Sequence, residues 1–89
     1  MIELPPKQKT HLRAQAQRLR PTTAVGKAGL TDAVTATVSR LLDQHELVKI
    51  TLPAGPAQDR HDTAQTLAAA THAALVTVVG RTAVLYRPQ

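Results

Sequence analysis

Two glycines flanking a lysine are the residues of this sequence whose types and spacing best suit binding chemistry. Gly26 and Gly29 enclose Lys27 and Ala28, between a β-branched stretch and the start of an amphipathic helix. Glycines adopt positive φ and let the backbone approach a ligand closely, and N–H groups at the start of a helix favour anions. The segment predicts either an anion-gripping loop, with Lys27 beside the anion, or a plain strand-to-helix turn.

Clustered positive charge favours the first interpretation. The chain carries 11 Lys and Arg against 6 Asp and Glu, for a net charge of +5. Residues 1–30 contain six basic side chains and only Glu3 as an acid, whereas the remainder is balanced. A GxxG loop clamps the sugar–phosphate backbone in KH domains, and a basic face binds polyanions. The alternative interpretation of the clustered charge is a basic helix that is exposed to solvent and binds nothing. The candidate phosphate contacts outside the loop are Lys9, Arg13, Arg20, Arg18 and Arg81.

The motifs that would indicate an enzyme are incomplete. A nucleotide P-loop needs a glycine at position 21 and a hydroxyl after the lysine, but Pro21 and Ala28 stand there. His45-Glu46 lacks the second histidine of a zinc protease, because position 49 is Lys49. There is no cysteine, and Ser39 is the only serine. We therefore predict a protein that is not an enzyme, without catalytic residues, a metal, a cofactor or a small-molecule substrate.

Length and composition indicate one small domain, residues 1–89, with its core over about 4–87. The chain is 43% hydrophobic, and Tyr86 is its only aromatic residue, so the core must be aliphatic and base stacking minor. No apolar run approaches the roughly 18 residues of a membrane span, and the first residues do not resemble a signal peptide. We expect a soluble cytoplasmic protein that does not bind membranes.

Hydrophobic periodicity predicts three helices and four strands in the order α-β-α-β-α-β-β. Thr31 is the expected N-cap of the second helix and Asp59 that of the third. The nearly continuous apolar run at 75–79 predicts a central strand, and Gly80-Arg81 predicts a tight hairpin after it. The fold class is α/β, a mixed four-stranded sheet with helices packed against it. The predicted elements are helix 7–19, strand 22–25, helix 31–45, strand 47–52, helix 59–73, strand 75–79 and strand 82–87.

Three ordered blocks of this sequence resemble the CRM domain family, whose stand-alone members are the YhbY-like proteins. The first block is residues 12–30, with the basic helix, Leu-Arg-Pro and Val-Gly-Lys-Ala-Gly-Leu. The second is residues 41–50, which end in His-Glu-Leu-Val-Lys-Ile. The third is residues 76–87, with Gly-Arg followed by Leu-Tyr-Arg. Order and spacing hold over about residues 4–87, although Ala28 stands where the family often has asparagine.

The resemblance implies a compact α/β domain related to the C-terminal domain of translation initiation factor three. It also implies that the GxxG loop and the basic surface bind RNA. Single-domain bacterial members associate with precursors of the large ribosomal subunit. The resemblance therefore implies a pre-50S assembly or maturation factor that grips structured rRNA. Two alternatives stay open: a protein-interaction module whose basic helix docks on an acidic partner, and a splicing cofactor such as the plant relatives.

Overall fold

The computed structural model describes residues 4–26 and 28–88, and its elements follow one another in the predicted order. Three helices and four strands are present in these residues, which confirms the α/β class and the mixed four-stranded sheet. None of the described helices has the length and apolarity to cross a membrane. The elements are α1 (Pro6–Ala16), β1 (Thr23–Ala24), α2 (Asp32–His45), β2 (Leu47–Thr51), α3 (Ala57–Ala70), β3 (Ala74–Val79) and β4 (Thr82–Tyr86).

The strand order of the sheet is β1-β2-β4-β3. β1 runs parallel to β2, with Thr23 opposite Ile50, and β4 lies antiparallel to both β2 and β3. The prediction that the apolar run at 75–79 is a central strand was wrong, because β3 is at the edge and β4 is inside. Helices cover both faces of the sheet, so the apolar run reports burial on two faces rather than a central position. A β-bulge at Val76 also interrupts the alternation of β3.

The two faces of the sheet carry different helices. α2 and α3 cover one face, where Val38, Leu42 and Leu67 pack against Ile50 and Leu85. α1 alone covers part of the other face, in a smaller cluster. That cluster consists of Leu12, Ala16, Val76 and Val84, with Leu4, Leu47 and Tyr86 packed against it. The larger core supports the fold, while α1 leaves the rest of its face open to a ligand.

Several predicted helix boundaries need correction, among them the end of α3, which lies at Ala70 rather than Ala73. α1 ends at Ala16 rather than Leu19, because the N–H groups of Arg18 and Leu19 donate to carbonyls three residues back and tighten the chain into turns. α3 begins at Ala57 after Pro56, so Asp59 lies in its first turn and is not its cap. By contrast, Thr31 caps α2 as predicted, since its side chain accepts a hydrogen bond from the Val34 N–H at 3.2 Å.

The guanidinium of Arg87, directly after β4, contacts α2 and the end of α3. Arg87 donates to the carbonyl oxygens of Ser39 and Thr71, both at 2.7 Å, and to the Ser39 hydroxyl at 3.1 Å. It also forms an ion pair with Asp43 at 2.6 Å. Ser39, the only serine of the chain, is thus part of the contact that fixes α2 and α3 to the sheet.

Candidate nucleic-acid interface

The glycine loop leaves the sheet where β1 ends. The Val25 N–H donates to the Thr51 carbonyl at 2.8 Å, which fixes the start of the loop beside β2. The Gly29 N–H donates to the Gly26 carbonyl at 2.9 Å and closes a tight turn, with Gly29 at φ 78°. A Cβ at either glycine would meet no atom within 4 Å, so open space surrounds the turn. Exposed Ala28 completes its described part, while Lys27 lies outside the described residues.

The N-terminus of α2 follows directly after this loop, and side chains of the protein already offset the positive end of its helix dipole. The Thr31 hydroxyl accepts the Val34 N–H, and Asp32 adds a carboxylate in the first turn. Both groups satisfy the positive end of the helix and compete with an incoming anion. The favourable part of the region for a phosphate is therefore the loop itself, and the helix terminus contributes less than the sequence pattern indicated.

The Gly80-Arg81 hairpin lies at the same end of the sheet as the glycine loop. The Leu52 N–H donates to the Arg81 carbonyl at 2.6 Å, and Arg81 Nε donates to the Leu52 carbonyl at 3.1 Å. Because β1, β2 and β4 are neighbours, the loop and the hairpin are about 10 Å apart, which is two strand spacings. Gly80 adopts a positive φ of 55°, as the predicted glycine-first turn requires. The fold thus places Arg81 at the end of the sheet that carries the glycine loop, and the Leu52 carbonyl already engages one N–H group of its guanidinium.

A groove of about 240 Å³ separates α1 from the β3–β4 hairpin on the open face of the sheet. We call it the sheet groove, and it mixes cationic, amide and hydroxyl side chains with exposed apolar surface. Arg13 is its predicted member, and Lys9 lies one helical turn before Arg13 on the same flank of α1. The residues that define the sheet groove are Arg13, Gln17, Lys49, Thr77, Val79 and Thr82.

The remaining predicted cations lie beyond the end of α1. Arg18 and Arg20 are exposed in residues 17–22, which connect α1 to β1. Arg18 borders a different cavity on the opposite flank of α1 from Arg13. The structure therefore divides the predicted set. Arg13 borders the sheet groove, Arg81 lies at the end of the sheet that carries the glycine loop, and Arg18 borders the cavity on the other flank of α1. The role of each in binding stays a prediction.

Sequence reasoning missed the polar residues that β2, β3 and β4 place in the sheet groove. Lys49, Thr77 and Thr82 all lie on the face that α1 only partly covers. The alternation of β2 held a signal, because Lys49 stands between the buried Val48 and Ile50 and must point to the opposite face. The bulge after Leu75 hid the corresponding signal in β3.

The cations of this interface are not neutralised by the described part of the chain. Within residues 4–26 and 28–88 the ion pair is between Arg87 and Asp43, and no described carboxylate pairs with Lys9, Arg13 or Arg18. These residues also contain no group of three or more histidine, aspartate or glutamate side chains that could hold a metal ion. The described surface is thus suited to an anionic ligand whose negative charges would pair with these cations.

Known proteins resemble this chain over nearly its whole length. Residues 4–87 match the family model of the CRS1 / YhbY (CRM) domain. The "Probable RNA-binding protein YqeI" of Bacillus subtilis is 35% identical over 81 residues, 91% of this chain and 84% of that protein. An "RNA-binding protein" of Haemophilus influenzae is 34% identical over 88 residues, 99% and 89% of the two chains. The solution structure of the protein SAV1595 from Staphylococcus aureus superposes with a TM-score of 0.88 at 32% identity, covering 98% of this chain and 91% of that one.

Proposed function

The chain belongs to the CRS1 / YhbY (CRM) domain family, and from this premise we propose that it is a non-enzymatic RNA-binding protein. The observation that carries the proposal is the open glycine turn at the end of β1, at the same end of the sheet as the Arg81 hairpin. The cationic sheet groove under α1 supports it. Two relatives over nearly the whole chain bear RNA-binding names, which supports RNA as the anionic ligand.

The binding mode follows from the side chains available. Tyr86, the single aromatic residue, is half-buried against the α1 cluster and offers no stacking platform. Contacts come instead from backbone N–H groups of the loop, from Arg13 and Lys9 on α1, and from Arg81 at the hairpin. Such contacts address phosphates, and they recognise backbone and shape more than sequence. The protein would therefore grip structured RNA with a modest sequence preference.

The cellular RNA we propose is rRNA of the precursor large ribosomal subunit, and the role is assembly or maturation of that subunit in the cytoplasm. The support is the family to which this single small domain belongs. Crosslinking in the protein's own cells, followed by sequencing of the captured RNA, tests the proposal. We expect a sharp footprint on large-subunit rRNA, enriched in precursor particles.

Other outcomes of the same experiment reject this role. Crosslinks to intron-containing transcripts would favour a splicing cofactor. Scattered or absent crosslinks would count against RNA as the partner. If a protein partner also stays bound after nuclease treatment, the result would favour an interaction module that docks through the basic helix.

Binding to a purified rRNA fragment must also depend steeply on salt. If Z cations meet phosphates, the logarithm of affinity falls with the logarithm of salt with a slope of roughly −0.7Z to −0.9Z, the values for DNA. The variant Arg13→Gln should reduce the size of that slope by about one, whereas Arg40→Gln, on exposed α2 surface, should leave it unchanged. A flat salt dependence of the parent protein would reject phosphate recognition.

A further inference from the structure

A second and larger concavity lies on the other flank of α1, at the β1 edge of the sheet. β1 is only two residues long and pairs with Ile50 and Thr51, so β1 does not extend along the beginning of β2. A cavity of about 760 Å³ opens there between α1, the end of α2 and the start of β2. We call it the histidine cleft, and the residues that define it are His11, Gln15, Arg18, Leu19, His45 and Leu47.

The histidine cleft joins side chains that are far apart in the sequence. His11 lies on α1, while His45 is the last residue of α2, and the fold places both on the border of one cavity. No local sequence pattern connects the two, because they lie in different segments of the chain. Both are exposed, and the structure shows no hydrogen bond or ion pair from either imidazole ring to another described residue. Their rings are therefore available to a ligand.

The floor and the rim of the cleft differ in character. Leu47 and Leu19 supply apolar surface, and Leu19 remains 38% exposed although it is a large hydrophobic side chain. Gln15 offers both an amide donor and a carbonyl acceptor at the rim, and Arg18 adds a permanent positive charge. None of the described lining residues carries a carboxylate. An apolar floor with a few convergent polar groups is the usual composition of a small-ligand site.

These features suit a planar, polar and negatively charged ligand of modest size. We propose that the histidine cleft holds one unstacked nucleotide of the bound RNA, an inference that rests on the proposed RNA-binding function. Imidazole rings and guanidinium planes stack on bases that are splayed out of single-stranded loops. The base would lie on Leu19 and Leu47 between the two histidines, its edge within reach of Gln15 and its phosphate beside Arg18.

The position of the cleft relative to the glycine loop allows one strand of RNA to use both. Thr22 borders the cleft, and Gly26 begins the loop. The four steps of extended chain between them span at most about 14 Å. The histidine cleft thus adds base contact to a surface that otherwise addresses phosphates, and it compensates for the absence of an aromatic platform.

The test compares two probes that differ only in their bases. Fluorescence anisotropy is measured with a labelled oligouridine of about twelve nucleotides, within the usual site sizes for single strands. The second probe is an abasic ribose–phosphate strand of the same length. We expect the parent protein to bind oligouridine about tenfold more tightly, the effect of one stacked base. The double variant His11→Ala/His45→Ala should bind both strands equally.

His61→Ala is the matched control, because His61 is an exposed histidine on α3 outside the cleft. It should keep the preference for oligouridine. Equal binding of both strands by the parent protein, or an undiminished preference in the double variant, would overturn the cleft and leave the RNA-binding function intact. Failure to bind either strand, or any rRNA fragment, would overturn the function and the cleft together.

A second measurement needs no variant. Addition of uridine 5′-monophosphate should shift the ring resonances of His11 and His45 in NMR spectra, while those of His61 and His72 stay in place. Equal shifts of all four rings, or of none, would contradict the proposed site.

Discussion

The ammonium of Lys49, on β2, donates a hydrogen bond to the carbonyl oxygen of Ala16, the last residue of α1, at 3.2 Å. The same ammonium donates to the Leu19 carbonyl at 3.3 Å. The last carbonyls of a helix lack partners within it and carry the negative end of its dipole. Lys49 therefore holds the end of α1 and the start of the following segment over the sheet, and it links the fold to the proposed RNA surface.

Lys49→Met should loosen α1 without disturbing the main core. Methionine keeps the apolar stem but removes the charge-assisted hydrogen bonds, so the free energy of unfolding should fall by about 1–2 kcal/mol. Urea unfolding measures this loss, and amide hydrogen exchange should show faster exchange in α1 than in α2 or α3. Lys7→Met, on exposed α1 surface, is the control. Unchanged exchange in α1 would show that the ammonium does not hold the helix.

Arg87→Met should destabilise the whole domain. The side chain of Arg87 is only 19% exposed, and its removal leaves the carbonyls of Ser39 and Thr71 without that donor. We expect a loss of about 2–3 kcal/mol in the free energy of unfolding. Asp43→Asn should cost less than about 1 kcal/mol, because Asp43 is 73% exposed and surface ion pairs contribute little. Similar losses in the two variants, measured by thermal unfolding, would contradict this assignment.

Gly29→Asp should abolish RNA binding and leave the fold intact. The added side chain meets no atom within 4 Å, but it places a carboxylate where a phosphate would lie. Gly29→Asn is the matched control, since asparagine has nearly the same shape, tolerates positive φ and is uncharged. Filter binding and circular dichroism measure affinity and folding. Equal affinity of a folded Gly29→Asp variant and the parent protein would remove the glycine loop from the binding site.

Asp32→Asn should strengthen RNA binding. Its carboxylate in the first turn of α2 competes with phosphate, and its removal is expected to tighten binding about twofold to fivefold, an effect of ~0.5–1 kcal/mol near a helix end. Asp62→Asn, on α3, changes the net charge equally and serves as the control. If both variants tighten binding to the same extent, overall charge rather than the loop region is responsible.

Much of the fold was predictable because local patterns carry it. The cap at Thr31, the stripe of α2 through Val38 and Leu42, and the alternation of β2 all follow from residues a few positions apart. The glycine turn between β1 and α2 follows from the same short range. The end of α1 was not predictable, because Leu19 continues the apolar spacing while the chain has already left the helix.

What the sequence by itself determined is the order of the elements, the glycine turn before α2 and the family, since these depend on periodicity, caps and ordered motifs. Only the tertiary structure decided which elements became neighbours. It inserted β4 between β2 and β3, brought Lys49 to the end of α1, and separated Arg13 from Arg18 on the two flanks of that helix. It also brought His11 and His45 to one cleft. These contacts join residues distant along the chain, and they arise from the packing of helices on both faces of the sheet, which no local pattern encodes.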